Sequence, residues 1–293
     1  GGGGVNESGV GVASRAGLYV TNSVAARITG QRAGIPASTG LILCNAGVVE
    51  GAAVGVFAQS LAVDGDQPIV AIVNTGTIRS NNTWDDSEWG WGATHTGMAF
   101  YGELASITID NSGTISGADH AIYTNTTTAG LSLVNSGVID GMIFAFNQAE
   151  VDLGLAGAPA DPLAVSDTIT NTGTINGDVG LGFGNDVFNG AAGTLNGTIS
   201  GGEGNDTLTL GAGDNVIHGG IGSNTLTGGA GGDSYIVDPN QIGHDTITDF
   251  NPAEDKIDLS GFAVAAQLSF APLTSGSGTY QVFMEEVAGS LEL

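Results

Sequence analysis

A short motif that recurs along the first 180 residues constrains the fold more than any other feature of this chain. The motif is Asn-x-Gly followed by two residues of strand type, and its copies begin at Asn74, Asn111, Asn135 and Asn171, with a degenerate copy at Asn45. Asn and Gly tolerate the left-handed backbone that a sharp corner requires. An Asn that returns at the same corner of successive turns is therefore expected to stack into a hydrogen-bonded ladder.

The spacing of these corners predicts a chain that coils. The corners at Asn111 and Asn135 are 24 residues apart, and the gaps of 36 and 37 residues elsewhere fit one such period plus an insertion. A period of this length, with short β-rich runs and no helical pattern, is typical of a β-solenoid. A β-sandwich is the alternative, but its turns would not repeat the same residues. The sequence thus predicts an all-β chain, with a parallel β-solenoid (β-helix) over residues 1–180.

From about residue 181 the period shortens to nine. Four consecutive units begin at Gly201, Leu210, Gly219 and Gly228, and an earlier copy begins at Leu181. They follow the pattern Gly-Gly-x-Gly-x-Asp-x-U-x, in which U is a large apolar residue. Every consecutive unit keeps its apolar position, which is held by Leu208, Ile217, Leu226 and Tyr235. A flexible Gly-Asp linker is the alternative, but it would not keep this phase.

These units resemble the RTX repeats of proteins exported by bacterial type I secretion. In that family two nonapeptides form one coil of a calcium-binding β-roll, so units that are two apart share an edge and an ion. Calcium prefers about six to eight oxygen ligands, which glycine-rich turns and Asp side chains can supply. The resemblance implies an RTX β-roll over residues 181–237, with Ca²⁺ held by Asp186, Gly201, Gly204, Asp206, Gly213, Asp214, Asn215, Gly222, Asn224, Gly231 and Asp233.

The same resemblance assigns the calcium ligands to two edges. One edge would carry Asp186, Asp206 and Asn224, and the other would carry Asp214 or Asn215, together with Asp233. Asn215 and Asn224 stand where the repeat usually has Asp. We expect these two positions to bind calcium more weakly, because each lacks a charge.

The segment after the repeats is similar to the closing domain of serralysin-type RTX proteins. The similarity rests on the runs at 243–250 and 254–260. It implies a C-terminal β cap over residues 238–293, an uncleaved export signal at its end, and further calcium ligands at Asp245, Asp249 and Asp258. The expected location is extracellular or on the surface of a bacterial cell. The coils of residues 1–180 are similar only in general to those of bacterial surface adhesins.

Composition excludes several classes of partner. The 293 residues include 5 Lys or Arg against 30 Asp or Glu, for a formal charge of -25, so the chain lacks the basic face that a nucleic-acid binder needs. No apolar run is long enough for a membrane-spanning helix. The single cysteine, Cys44, follows the apolar run Leu41–Leu43 and is expected to be buried.

One inserted segment, residues 81–95, could carry further chemistry. It gathers three Trp and three carboxylates, namely Trp84, Asp85, Asp86, Glu88, Trp89 and Trp91. Three interpretations are open: a structural loop that packs over the solenoid, a platform for a carbohydrate, or an acid and base pair for glycoside chemistry. The zinc-protease signature His-Glu-x-x-His does not occur in the sequence, and the four histidines are scattered.

Two function classes follow from these features. The first is a secreted, calcium-binding structural protein, such as a filament, surface-layer or adhesin subunit that folds on calcium after export. The second is a carbohydrate-active β-helix enzyme, such as a polysaccharide lyase, epimerase or glycosidase, with an RTX export module. The scarcity of Lys and Arg for binding an acidic polymer favours the first, so we expect no enzyme activity. The open end of a solenoid exposes an unpaired strand edge, which predicts head-to-tail self-association, and surface polysaccharide is a second partner to consider.

Overall fold

The computed structural model describes residues 17–30, 33–37, 40–60, 68–81, 95–126, 128–146, 165–237 and 243–261, together with three short strands between 280 and 292. These residues form strands and turns, and most strands pair in parallel. The predicted all-β fold with a parallel β-solenoid is confirmed. Within the described ranges, no helix has the length and apolarity needed to cross a membrane.

The first ladder of strands runs the length of the molecule. Each strand pairs in parallel with the equivalent strand of the next coil. For example, Leu43 lies opposite Ile72, and Leu208 lies opposite Leu226. Its strands are β1 (Leu18–Asn22), β4 (Leu41–Asn45), β7 (Ile69–Asn74), β10 (Ser106–Asn111), β12 (Leu131–Asn135), β14 (Thr168–Asn171), β17 (Val187–Asn189), β20 (Thr207–Thr209), β22 (Thr225–Thr227) and β24 (His244–Ile247).

A second ladder follows the Asn corners and ends before the four consecutive nonapeptides that begin at Gly201. It consists of β2 (Arg27–Gly30), β5 (Val48–Gly51), β8 (Thr77–Ser80), the first parts of β11 (Thr114–Thr126) and β13 (Val138–Phe146), β15 (Thr174–Asn176) and β18 (Thr194–Leu195). Strands β11 and β13 bend part-way, with shifts in pairing register after Ser116. Their later parts therefore belong to a third ladder.

The third ladder continues into the nonapeptide region. It contains β3 (Ala33–Ala37), β6 (Val54–Ser60), β9 (Thr96–Gly102), the later parts of β11 and β13, β16 (Val179–Gly180), β19 (Thr198–Glu203), β21 (Val216–Ile221), β23 (Ser234–Ile236) and β25 (Lys256–Asp258). The coils thus have three strand faces up to about residue 195 and two faces after it. The shorter sequence period therefore corresponds to the loss of one strand face. The first and third ladders continue without a break.

The core is a set of stacked apolar columns between these ladders. In the first ladder one column passes from Leu43 through Ile109 and Ile169 to Phe188 and Leu226, and each of these side chains is buried. In the third ladder Val179, Ile199, Ile217 and Tyr235 stack in register. Full burial of one such side chain contributes about 1.5 to 3 kcal/mol. The apolar position of the nonapeptides is therefore the inward-facing position of each short strand.

The Asn corners form the ladder that the sequence predicts. Each amide nitrogen except that of Asn171, the last member, donates to the amide oxygen of the next coil at 2.7–2.8 Å. Each also lies within hydrogen-bond reach of backbone carbonyl oxygens at the corner. The members, which we call the Asn ladder, are buried: Asn22, Asn45, Asn74, Asn111, Asn135 and Asn171. Because Asn74 pairs with Asn111 and Asn135 with Asn171, the long gaps each hold one coil plus inserted residues.

The C-terminal end of the first ladder is closed by a strand of opposite direction. Strand β26 (Tyr280–Phe283) pairs antiparallel with β24, and a short hairpin of β27 (Glu285–Val287) and β28 (Ser290–Glu292) follows. The parallel stacking of that ladder therefore ends here, and the cap over residues 238–293 stays a prediction. The expectation for Cys44 is wrong: its side chain is exposed, because alternation along β4 turns Leu41 and Leu43 inward and Cys44 outward.

Candidate metal centre

Most strands of the nonapeptide region directly follow an Asp or Asn, and in β24 the equivalent residue is Asp245, the second residue of the strand. Strand pairing stacks these residues into two columns along the axis. The first column consists of Asp167, Asp186, Asp206, Asn224 and Asp245, and the second consists of Asn215, Asp233 and Asp255. Every residue in the columns except Asp255 is buried. These columns are the only part of the described chain where so many carboxyl groups enter the interior.

In the first column, one oxygen of each side chain ties its coil to the coil before it. The N–H of Asp186 donates to Oδ1 of Asp206 at 2.8 Å, and the N–H of Asp206 donates to Oδ1 of Asn224 at 2.9 Å. The second column repeats the arrangement, since the N–H of Asn215 donates to Oδ1 of Asp233 at 2.9 Å. A carboxyl or amide oxygen is thus required at this position, which explains why only Asp and Asn occur.

The second carboxyl oxygen has no such role. Oδ2 of Asp186, of Asp206 and of Asp233 is buried, and none of the three accepts a hydrogen bond from any part of the chain that the structure describes. A buried polar atom without a partner destabilises a fold by about 1 to 3 kcal/mol, and by more when it carries charge. These oxygens therefore require a positively charged partner.

Glycine leaves room for that partner beside each of these oxygens. A Cβ on Gly201 would clash with Oδ2 of Asp206 and with the carbonyl oxygen of Gly219, and a Cβ on Gly228 would clash with Oδ2 of Asp233. At Gly219 the added atom would lie 2.6 Å from Oδ2 of Asp245. Carboxylate and carbonyl oxygens thus border the same small spaces, which suits a cation that takes oxygen ligands.

The pKa values of these three carboxyl groups are raised by their surroundings. Burial, together with the charges of Asp167 and Asp206, raises the pKa of Asp186 to about 8. Burial, with a smaller effect from Asp245, raises the pKa of Asp206 to about 6. The pKa of Asp233 is also raised, mainly by burial. The carboxylates are held where their charge is costly, and a bound cation would remove that cost.

The turns themselves need glycine for a second reason. Gly204 and Gly222 have φ of +136° and +135°, a conformation that other residues rarely adopt. A Cβ on either one would clash with the carbonyl oxygen of the equivalent glycine one coil earlier. Gly213 and Gly231 have φ of +122° and +134° in the second set of turns. Glycine is therefore favoured at four of the predicted positions, Gly204, Gly213, Gly222 and Gly231, by the backbone conformation of the turns.

Comparison with known families agrees with this geometry. Residues 198–235 match the family model of the RTX calcium-binding nonapeptide repeat, in four copies. This segment is an RTX repeat segment. RTX nonapeptide repeats bind Ca²⁺, and proteins that carry them are typically secreted. No curated protein and no solved structure matched the chain.

In the RTX segment, backbone carbonyl oxygens would contribute to a calcium site as much as side-chain oxygens. Within the described ranges, no three His, Cys, Asp or Glu side chains come together as a metal cluster. Asp186, Asp206 and Asp233 would each contribute the oxygen that lacks a partner, and the glycine turns would contribute carbonyls. When bound there, calcium supplies positive charge to coils that contain only acidic charge. The side chains and turns hold the coils in register.

The structure separates two predicted ligands that the sequence left as alternatives. Asn215, and not Asp214, lies in register with Asp233 in the second column. Asp214 is exposed, and its Oδ1 accepts the N–H of Gly232 at 2.8 Å on the outside of the turn. The carboxylate of Asp214 thus lies on the outside of the coil, whereas the oxygen of Asp233 that lacks a partner lies in its interior.

The three Asp residues predicted after the repeats have different surroundings. Asp245 completes the first column beside Asn224. The carboxylate of Asp249 accepts the N–H groups of Gly228 and Gly229 at 3.1 and 2.8 Å, which places it at the turn beside Asp233. Asp258 lies at the far end of β25, where its Oδ1 accepts the N–H of Ser260, and hydrogen bonds from that residue lower its pKa. The structure does not bring Asp258 to either column.

Sequence reasoning missed two members of the columns, Asp167 and Asp255. Oδ1 of Asp167 accepts the N–H of Leu131, and Oδ1 of Asp255 accepts the N–H of Asp233 at 2.9 Å. A signal was present for Asp167, since Asp-Thr-(Ile/Leu)-Thr occurs at 167–170, at 206–209 and again at 245–248. The first column thus starts before the nonapeptide pattern is recognisable.

The tryptophan-rich segment cannot be placed in the same way. Its Trp and acidic residues, at positions 84–91, lie outside the described residues, so all three interpretations stay predictions. At its end, Nδ1 of His95 lies 3.2 Å from the carboxylate of Asp119. His218 lies in β21, and its Nδ1 is 3.5 Å from the hydroxyl of Ser200.

Proposed function

We propose that this chain is a secreted structural protein of a bacterial surface or extracellular matrix, in which calcium completes one end of a β-solenoid rod after export. The observation that carries the proposal is the continuity of the ladders. Strand β14 of the Asn ladder coils pairs directly with β17, and β16 pairs with β19 of the RTX segment. A calcium-dependent roll is thus built onto the end of a solenoid that shares its sheets and core.

The two halves of the rod stabilise their turns in different ways. The Asn ladder satisfies its corners with neutral amides, and its members are hydrogen-bonded on both sides. The Asp columns keep buried oxygens that lack a partner, and residues 181–249 contain no Lys or Arg. Acidic charges in the RTX segment therefore repel until a cation binds. Such a chain would stay partly unfolded at low calcium and fold where calcium is abundant, which suits export.

Self-association is the second part of the proposal. Among the described strands, β1, β2 and β3 of the first coil have a partner on one side only, and so does β25 at the other end. Tyr19 and Val24 lie in this first coil, and they are the most exposed large apolar residues described, at 77% and 81%. At the other end, β26 closes the first ladder with an antiparallel strand. The ends differ, so contacts between copies would be head-to-tail and would generate a filament.

Sedimentation velocity of the full chain, with calcium and with a chelator, tests the assembly. We expect concentration-dependent growth with calcium, visible as filaments by negative-stain microscopy. We also expect Tyr19→Asp to reduce the growth, with the substitution Val187→Asp at an exposed position of β17 as a matched control. A particle that stays monomeric at all calcium and protein concentrations would overturn self-association, and unchanged circular dichroism on chelation would overturn calcium-dependent folding.

A carbohydrate-active protein is the second candidate, because of an aromatic row on the third ladder. The rings of Phe57, Tyr101, Tyr123 and Phe144 are 5.5–6.0 Å apart, centroid to centroid; Tyr101 is buried and the other three rings are half-buried. In the same part of the fold, His95 directly precedes β9 and pairs with Asp119 of the neighbouring strand β11. Release of reducing ends or unsaturated products from bacterial and algal polysaccharides would support an enzyme. Binding without turnover would support an adhesin.

A further inference from the structure

The two Asn residues in the columns have surroundings that differ from those of the Asp residues. Asp206 and Asn224 occupy equivalent positions on adjacent coils, as do Asp233 and Asn215. All four are buried. The outer oxygens of Asp206 and Asp233 have no hydrogen-bond partner among the described residues, whereas the amide nitrogens of both Asn residues are hydrogen-bonded.

Asn215 shows the difference most clearly. Its Nδ2 lies 2.9 Å from the carbonyl oxygen of Gly213, 3.1 Å from that of Gly228 and 3.4 Å from that of Gly211. It also lies 3.2 Å from Oδ1 of Asp233. Three carbonyls and a carboxylate thus converge on one NH₂ group. Oxygen ligands of this kind are what a calcium ion takes.

The acceptors also decide which way each amide faces. If the amide of Asn215 were reversed, its oxygen would be directed at three carbonyl oxygens and a carboxylate, which cannot donate to it. In Asn224, Oδ1 accepts the N–H of Asp206, and Nδ2 donates to Oδ1 of Asp245 at 2.7 Å. In both Asn residues the NH₂ group, with its partial positive charge, therefore occupies the position of the carboxylate oxygen that has no partner in Asp206 and Asp233.

We propose that Asn215 and Asn224 are not calcium ligands but built-in substitutes for calcium, whose NH₂ groups satisfy the turn oxygens that an ion would otherwise bind. The inference rests on calcium binding by the Asp positions of the same columns. It implies that the roll combines turns that need an ion with two consecutive turns, at Asn215 and Asn224, that are complete without one. The calcium-independent turns would hold the coils partly in register before calcium arrives.

Reciprocal exchanges test the proposal on the full chain, with calcium counted by native mass spectrometry. Asn215→Asp should add one calcium ion per chain, because the NH₂ group is replaced by an oxygen that lacks a partner. Asp206→Asn should remove at least one ion. Asn215→Ala should leave the number of ions unchanged, but it should lower the denaturant midpoint in chelator, since three carbonyls and a carboxylate lose their donor.

The possible outcomes separate this inference from the proposed function. An ion lost in Asn215→Ala, or an unchanged ion number in Asn215→Asp, would overturn the role of the amide while calcium binding stands. Failure of Asn215→Asp to fold at saturating calcium would overturn it too, because an ion should replace the lost donor. A parent chain that binds no calcium would overturn the proposed function itself, and the apo stability of Asn215→Ala would still test the amide.

Discussion

The N–H of Asp206 donates to the side-chain oxygen of Asn224 across adjacent coils at 2.9 Å. The N–H of Asp186 donates to Asp206 in the same way at 2.8 Å. One hydrogen bond therefore connects residues that are 18 or 20 positions apart in sequence and sets the coil register on this edge. What distinguishes the residues is the other terminal atom, an oxygen without a partner in Asp206 and a hydrogen-bonded nitrogen in Asn224.

Chelation should affect the two parts of the molecule unequally. In excess chelator we expect hydrogen exchange to accelerate from about residue 181 onward, where the columns lose their counter-charge. The coils between Leu41 and Asn171 should stay protected, because the Asn ladder is complete without an ion. Hydrogen exchange measured by mass spectrometry checks this. Uniform loss of protection along the chain would mean that the solenoid depends on calcium as a whole.

Asp206→Ala should be more damaging to calcium binding than Asn224→Ala. Asp206 supplies a charged oxygen beside Gly201, and it lies between Asp186 and Asn224 in the column. We expect its calcium midpoint to rise by about tenfold or more, as is common when a metal site loses a supporting group. Calcium titrations followed by circular dichroism compare the two variants with the parent. Equal calcium midpoints for Asp206→Ala and the parent would contradict the position of Asp206 between Asp186 and Asn224 in the first column.

Asn111→Ala should destabilise the solenoid by about 1 to 3 kcal/mol, because it removes a buried donor and acceptor from the middle of the Asn ladder. Asn111 donates to Oδ1 of Asn135 and accepts from Nδ2 of Asn74. Denaturant unfolding in calcium measures the loss. Asn196→Ala is the control, since its amide makes a bond of the same length, 2.8 Å, to Asn176 on the exposed surface. A similar loss in both variants would show that burial of the ladder is unimportant.

Without calcium, the RTX segment should be less stable at pH 8 than at pH 5. Burial raises the folded-state pKa of Asp206 to about 6 and that of Asp186 to about 8, above the value of about 3.9 in an unfolded chain. The folded state binds more protons over this range, so its stability falls as the pH rises. Calcium competes with those protons, and its affinity should rise with pH. Thermal unfolding in chelator and in calcium at both pH values tests this, and an apo stability that rises with pH would contradict it.

The sequence by itself determined the repeating architecture. The Asn-x-Gly period and the phase of Leu208, Ile217 and Leu226 are local patterns, and a parallel solenoid is the fold that places each copy on its equivalent. The Asn ladder and the nonapeptide coil follow from the same periodicity. Asp206 could be recognised as a site residue because its own nonapeptide contains the full motif.

Only the tertiary structure decided which atoms face one another across coils. In the structure, Asn215 and not Asp214 lies in the second column, and Asp167 and Asp255 also belong to the columns. The side chain of Cys44 faces outward. The structure also showed that the shorter period marks the loss of one strand face. These facts depend on the register between strands that are about 20 residues apart, and a shift by one residue reverses every side chain. The partner of a buried oxygen lies on a neighbouring coil, so no local pattern can identify it.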